Sequence, residues 1–272
     1  MNAHRVNPES RVKLNKLPTD DTGKYDPKND GKDQAQARTD ELLEKLAILQ
    51  ERLYANGEQA LLIVLQGMDT SGKDGTIKHV MSGINPQGCR VTSFKAPSVR
   101  ELAHDFLWRV HQETPPKGYI GLFNRSHYED VLITRVHGIV SDKMATQRFS
   151  QINDFERLLQ ENGTTILKFF LHISKDEQRK RLEARIKNPD KRWKFNLTDL
   201  AERKLWSNYW AVYEDAISAT STEHAPWYIV PADYKWYRNL IVAEAVVDAL
   251  QAMKLRYPPA SAGVDFDHVV IE

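Results

Sequence analysis

ALLIVLQGMDTSGKDGTIKHV, residues 60–80, decides how this chain folds. Residues 60–66 are an apolar run of strand length, the pattern of a strand buried on both faces of a parallel sheet. Gly67, Gly72 and Lys73 then form a G-x-x-x-x-G-K match. The glycines let the backbone curl until its N–H groups point at phosphate oxygens. A helix starting near Gly72 adds its positive end, and Lys73 adds a point charge. A strand before and a helix after separate a phosphate loop from a chance Gly-rich turn, and both are expected here.

Outward from this loop, strands alternate with helices. CRVTSF (89–94), YIGLFN (119–124), TILKFFLH (165–172) and WYIV (227–230) read as further strands. A leucine stripe at 42, 43, 46, 49 and 53 predicts a helix with Thr39 as N-cap, ended by Asn56-Gly57. Ser98 and Glu101 form a capping box for a helix carrying Phe106, Leu107 and Trp108. Helices are also expected around 126–137, 143–161, 174–187, 198–219 and 235–254. The pattern predicts an α/β P-loop fold in three layers: a parallel sheet, helices on both faces, and a helical lid over about 174–210. Residues 1–35 form a polar N-terminal extension, 36–257 the P-loop domain, and 258–272 a C-terminal tail.

Composition narrows the function. Net charge is +1, which argues against a nucleic-acid coat, and no apolar stretch reaches membrane-spanning length. The start, MNAHRVNPES, lacks the apolar core of a secretory signal. Cys89 is the one cysteine, excludes an internal disulfide framework, and is expected as a buried strand thiol. These features together predict a cytoplasmic location.

The candidate chemistry clusters at strand ends. Gly67, Met68, Thr70, Ser71, Gly72, Asp74 and Gly75 are read as nucleotide or phosphate contacts around Lys73. Asp74 stands where the usual loop Ser/Thr would ligate Mg²⁺. Asp69 would repel phosphate unless a divalent cation lies between them, so it reads as a metal ligand or, alternatively, as a cap on a loop N–H. Strand 119–124 ends in Asn124, where P-loop enzymes place an acid, followed by Arg125, whose planar fork suits a migrating phosphoryl group. Glu129 and Asp130 fit either a substrate or metal role or the favourable first turn of a helix. His127 reads as a packing or hydrogen-bonding residue. Residues 175–194 hold nine Lys and Arg against four Asp and Glu. This run is either a solvated helix face or a lid for a polyanion, with Arg181, Arg185, Lys187 and Lys194 as the contacts. The late tryptophans, Trp193, Trp206, Trp210, Trp227 and Trp236, read mostly as core, with flanking a base as the alternative for some.

Four blocks in order, GMDTSGKDGTIKHV (67–80), FNRSHYEDVLITRVHG (123–138), EQRKRLEARIKNPDKRWKF (177–195) and APWYIVPADYKWYRNL (225–240), resemble the family-2 polyphosphate kinases. The resemblance implies a P-loop domain with a helical lid, polyphosphate as phosphoryl donor, Mg²⁺ (or Mn²⁺) as cofactor, and adenine or guanine nucleotides as partners. It implies catalytic roles for Asp69, Lys73, Asn124 and Arg125, basic lid roles for Arg181 and Arg185, and a homo-oligomer, dimer or tetramer. The NRSHYED version is similar to the subgroup accepting AMP as well as ADP; Asn124 departs from the acid common elsewhere in the family. An ATP-dependent nucleoside monophosphate kinase and a non-catalytic polyphosphate-binding regulator are the rival readings.

Overall fold

The computed structural model describes residues 4–260, 262 and 266–271. The first three residues of the polar start, and residues 261, 263–265 and 272 of the expected tail, lie outside the described residues. Helix α1 (Gly31–Asn56) precedes strand β1 (Ala60–Gln66), and α2 (Lys73–Val80) follows the phosphate loop. Next come β2 (Cys89–Ser93), α3 (Val99–Leu102), α4 (Trp108–His111) and β3 (Ile120–Asn124). The chain continues through α5 (Ile133–Val136), α6 (Asp142–Glu161), β4 (Thr164–His172) and α7 (Lys175–Lys187). It closes with α8 (Leu197–Lys204), α9 (Trp206–Thr220), β5 (Trp227–Pro231) and α10 (Lys235–Ala252).

The five strands form one parallel sheet in the order β2-β3-β1-β4-β5. Every residue of β1 is buried, which explains its continuous apolar run: β3 and β4 flank it, α1, α2 and α10 pack together, and α6 packs on α9 and β4. The topological switch lies between β1 and β3, so the residues after both strands open into one crevice.

Several elements differ from expectation for identifiable reasons. Helix α1 starts at an Asp30 N-cap, not at Thr39. Thr39 is buried within the helix, where its hydroxyl returns a hydrogen bond to Ala35 O at 2.7 Å. The expected helix through 106–108 splits into α3 and α4 because the Asp105 carboxylate accepts the Leu107 and Trp108 N–H groups and starts a new turn. The expected 126–137 helix is a 3₁₀ segment, His127–Val131, followed by α5; the expected 198–219 helix breaks at Leu205. Strand β2 is an edge strand, so Cys89 is half-buried rather than a core thiol, and burial pushes its pKa up to about 11.

The polar N-terminal residues pack along β5. Arg5 bridges Tyr228 antiparallel, Val6 N donates to Trp227 O at 2.8 Å, and Val6, Val12 and Leu14 are buried. Single apolar residues this far apart carry no periodicity, so the sequence hides the contact. Leu14→Ala is expected to lower stability by about 2–5 kcal/mol, read by chemical denaturation.

Candidate active site

In the loop between β1 and α2, Gly67 (φ 151°) and Gly72 (φ 107°) take conformations that side chains resist. A Cβ on Gly72 would meet the Arg238 guanidinium at 1.9 Å, so a side chain here would have to displace the tip of that arginine. Curling N–H groups outward turns the carbonyls inward, where each needs a donor. Lys73 Nζ donates to Gly67 O at 2.8 Å and to Met68 O at 3.4 Å. Gln178 Nε2 reaches Asp69 O at 3.0 Å. Arg181 Nη1 binds Thr70 O and Ser71 O at 3.0 and 2.9 Å, and Arg238 Nη1 adds a 3.3 Å contact to Ser71 O. Gly72 O accepts the Thr76 N–H at 2.8 Å. All six loop carbonyls are thus satisfied, three of them by side chains from α7 and α10.

This corrects one lid assignment. Arg181 is buried, and its remaining donors go to Glu177, Ala232 O and Asp233 O. It does not present its charge to the crevice; it ties the loop to α7 and to the end of β5. Arg185 is half-buried near Asp199 (3.8 Å), while Lys187 and Lys194 are exposed. Lys194 reaches across to Asp74 Oδ2 at 3.3 Å, and Asp74 Oδ1 accepts from Asn124 Nδ2 at 2.7 Å. Against partial burial, hydrogen bonds from Asn124 and Lys194 hold the Asp74 carboxyl below its ordinary value.

Asp69 and Arg125 face each other, with Arg125 Nη2 at 2.9 Å from Asp69 Oδ1. Arg125 has φ 62°, the left-handed region a non-glycine residue avoids, and its N–H is held by Leu65 O at 3.1 Å. Glu129 lies 3.8 Å from the other side of the same guanidinium, and burial raises its pKa against the pull of Arg125 and Lys73. Burial pushes Lys73 down to about 8, with repulsion from Arg125 in the same direction. Asp130, expected beside the phosphates, instead points to Arg109 and Arg148, 3.9 and 4.0 Å away, so it stands outside the crevice.

A cavity of about 310 Å³ adjoins Gly67–Asp69, Arg125 and Glu129. Its other walls are Ile133, Gln178, Asn196, Thr198, Asp199, Glu202, Arg203, Tyr209 and Tyr213, most of which sequence reasoning missed. They come from α5, the lid and α9, and no local motif joins them. Tyr209 donates to Glu202 at 2.6 Å, and Glu202 also contacts His137 at 3.1 Å, so the lid helix α8 is latched to both.

Among the described residues, no group of three or more His, Cys, Asp or Glu side chains is arranged to hold a metal ion. The Asp69 carboxylate beside the phosphate loop, paired on one oxygen with Arg125, fits a divalent cation held through one or two protein oxygens plus substrate phosphates. No helix among the described residues is long and apolar enough to cross a membrane.

Sheet order, loop and lid define a P-loop phosphotransferase architecture. A family model described as Polyphosphate kinase 2 (PPK2) matches residues 28–258, and the chain belongs to this family. It is 50% identical over 273 residues to the AMP/ADP-polyphosphate phosphotransferase of Meiothermus ruber, covering 100% of both chains. It is 47% identical to the ADP-polyphosphate phosphotransferase of Rhodopseudomonas palustris, over 93% of this chain and 91% of that one. The crystal structure of polyphosphate kinase 2 from Arthrobacter aurescens TC1 matches with a TM-score of 0.92 at 44% identity, covering 97% of this chain and 93% of that chain.

Arg181→Met and Lys187→Met compare a buried support of the loop with an exposed cation. The first strips donors from buried carbonyls and is expected to cost about 3 kcal/mol in chemical denaturation. The second is expected to leave stability within about 0.5 kcal/mol.

Proposed function

We propose that this chain transfers the terminal phosphoryl group of inorganic polyphosphate to AMP and ADP, reversibly. The observation that carries the reading is the Asp69–Arg125 pair set directly beside a fully supported phosphate loop. The names of the Meiothermus and Rhodopseudomonas relatives support the donor and the acceptors.

Each group has a distinct task. The outward loop N–H groups and Lys73 hold phosphates of the acceptor nucleotide. The aromatic and carboxylate cavity of Tyr209, Tyr213, Asp199 and Glu202 receives the nucleoside end. Arg125 leaves Asp69 and forks onto the phosphoryl group in flight, where its charge counts most. Mg²⁺ or Mn²⁺ held by Asp69 would neutralise phosphate charge there. Asn124, neutral and bonded to Asp74, orients that carboxylate rather than adding a second charge. The polymer runs along the exposed cations Lys187, Lys191, Lys194 and Lys235. Part burial and repulsion from Arg181, Arg238 and Lys191 lower the Lys235 pKa, and a polyanion relieves that crowding. The acceptor range extends to guanine nucleotides, the subunits assemble as a dimer or tetramer, and the protein works in the cytoplasm.

The decisive experiment supplies polyphosphate or ATP as donor to AMP and to ADP separately, with Mg²⁺, and resolves products by chromatography. ATP from ADP and polyphosphate, and ADP from AMP and polyphosphate, are expected. Transfer only from ATP would overturn the reading in favour of a nucleoside monophosphate kinase. Binding of polyphosphate without transfer would make the chain a regulator. Asp69→Asn and Lys73→Met are each expected to lower kcat by roughly a hundredfold or more.

The Lys73 value of about 8 also sets a pH dependence. If phosphate binding needs the ammonium form, kcat/KM falls as pH rises past about 8, and Lys73→Arg removes that limb. The linkage has the opposite sign for stability. The folded value lies below the ordinary 10.5, so the unfolded chain binds more protons between the two and this group makes the free protein more stable as pH rises through that window. Thermal unfolding in the same buffers separates the two effects.

A further inference from the structure

Beneath the crevice lies a charge cluster that takes no part in phosphate binding. Lys168, in the middle of β4, is fully buried. Its ammonium donates to Glu156 at 2.5 Å, to the Tyr128 hydroxyl at 2.9 Å and to Thr220 O at 2.7 Å. Glu156, on α6, also accepts from the Tyr128 hydroxyl at 2.9 Å and stands 3.3 Å from His127 Nε2. The ring faces of Tyr128 and Trp227 enclose the ammonium, each centroid 5.4 Å away. Burial lowers the Lys168 pKa against the pull of Glu156.

An ion pair this deep adds little net stability, because desolvation offsets most of its attraction; volume-matched apolar residues commonly serve as well. Its placement points to another role. The two side chains it grips, His127 and Tyr128, lie between Arg125 and Glu129, the two charged residues that face the crevice from this turn. The turn is tied at its ends by other bonds, Arg125 N to Leu65 O at 3.1 Å and Arg148 Nη1 to Asp130 O at 2.7 Å, and at its middle by the cluster. It is a short 3₁₀ segment entered through the left-handed Arg125, with Ser126 capping the Tyr128 N–H and receiving a 3.2 Å bond from Gln66. His127 and Tyr128 are buried in the core, whereas Arg125 and Glu129 line the cavity.

We infer that Lys168 and Glu156 are positioning residues: by holding Tyr128 and His127, they set the Arg125 guanidinium against Asp69 and keep Glu129 on its flank. This rests on the phosphoryl-transfer reading for its kinetic consequence, not for its geometry. Asp69, Lys73 and the loop lie on another segment and keep their own supports, so loss of the cluster disturbs the transition state more than ground-state binding.

The test is the apolar triple variant Tyr128→Phe/Glu156→Leu/Lys168→Met, which removes the charges together and leaves no lone buried ion. It is expected to fold, to lose roughly tenfold to a hundredfold in kcat with polyphosphate and ADP, and to hold both KM values within about threefold. Amides 125–130 are expected to exchange hydrogen faster, while those of 67–72 do not change. A folded triple variant with wild-type kcat and unchanged exchange at 125–130 overturns the inference, as does a uniform rise in exchange across the sheet. Should the triple variant not fold, Tyr128→Phe decides, since it deletes one hydroxyl from the centre of the cluster. A several-fold fall in kcat at constant KM supports the inference, and wild-type kcat sinks it. If the wild-type protein transfers nothing from polyphosphate, the functional reading fails alone, and hydrogen exchange still decides the positioning role.

Discussion

A phosphate loop must point its N–H groups at the ligand, which turns its carbonyls toward the protein. That geometric debt governs much of this structure. Unpaired, several inward carbonyls would cost a few kcal/mol each. The chain meets them from a distance: Gln178 and Arg181 from α7, Arg238 from α10, and Lys73 from the loop's own helix. Arg181 also joins the end of β5 through Ala232 O and Asp233 O. The basic helix is therefore a pillar at its first half and a lid only beyond. Its fixed end sets the loop, and the cations past Arg185 remain on the exposed side.

The crevice divides by charge type. On one side, Asp69, Glu129, Asp199 and Glu202 share a cavity with two tyrosines and two arginines. On the other, Lys235 stands near three cations, Arg181, Arg238 and Lys191, with Glu177 pulling the other way. Arg238 shows the strain of this arrangement, since burial and the neighbouring Arg181 push it down to about 9. A nucleoside suits the first environment and a linear polyanion the second. Asp74 stands at the meeting point, accepting from Asn124 in the sheet and Lys194 in the lid. Exposed pairs of this kind are weak, so the lid can exchange Lys194 between Asp74 and a substrate at small cost.

Local sequence determined the elements whose signal is continuous. β1 is the run 60–66, the loop begins at Gly67, and Ser98 with Glu101 makes the expected capping box. Those features depend on backbone propensity and on spacing within a single turn, which a sequence displays directly. The Asp69, Lys73, Arg125 and Glu129 cluster was legible for a different reason: in an open parallel sheet, residues just past the carboxyl ends of the strands gather along one edge. The family resemblance was legible from four ordered blocks.

Tertiary structure alone decided what the long-range side chains do. In sequence, Arg181 is one cation in a run of nine, and only the loop carbonyls waiting above it make it structural. Asp130 looks equivalent to Glu129, yet one residue of rotation in a 3₁₀ turn sends it to Arg109 and Arg148. Lys168 sits in an apolar strand where a charge looks misplaced until Glu156, Tyr128 and Thr220 arrive from three other segments. The physical reason is common to all three. A charged side chain takes its role from the partner that satisfies it, and when that partner is far away in the chain, no local pattern names it.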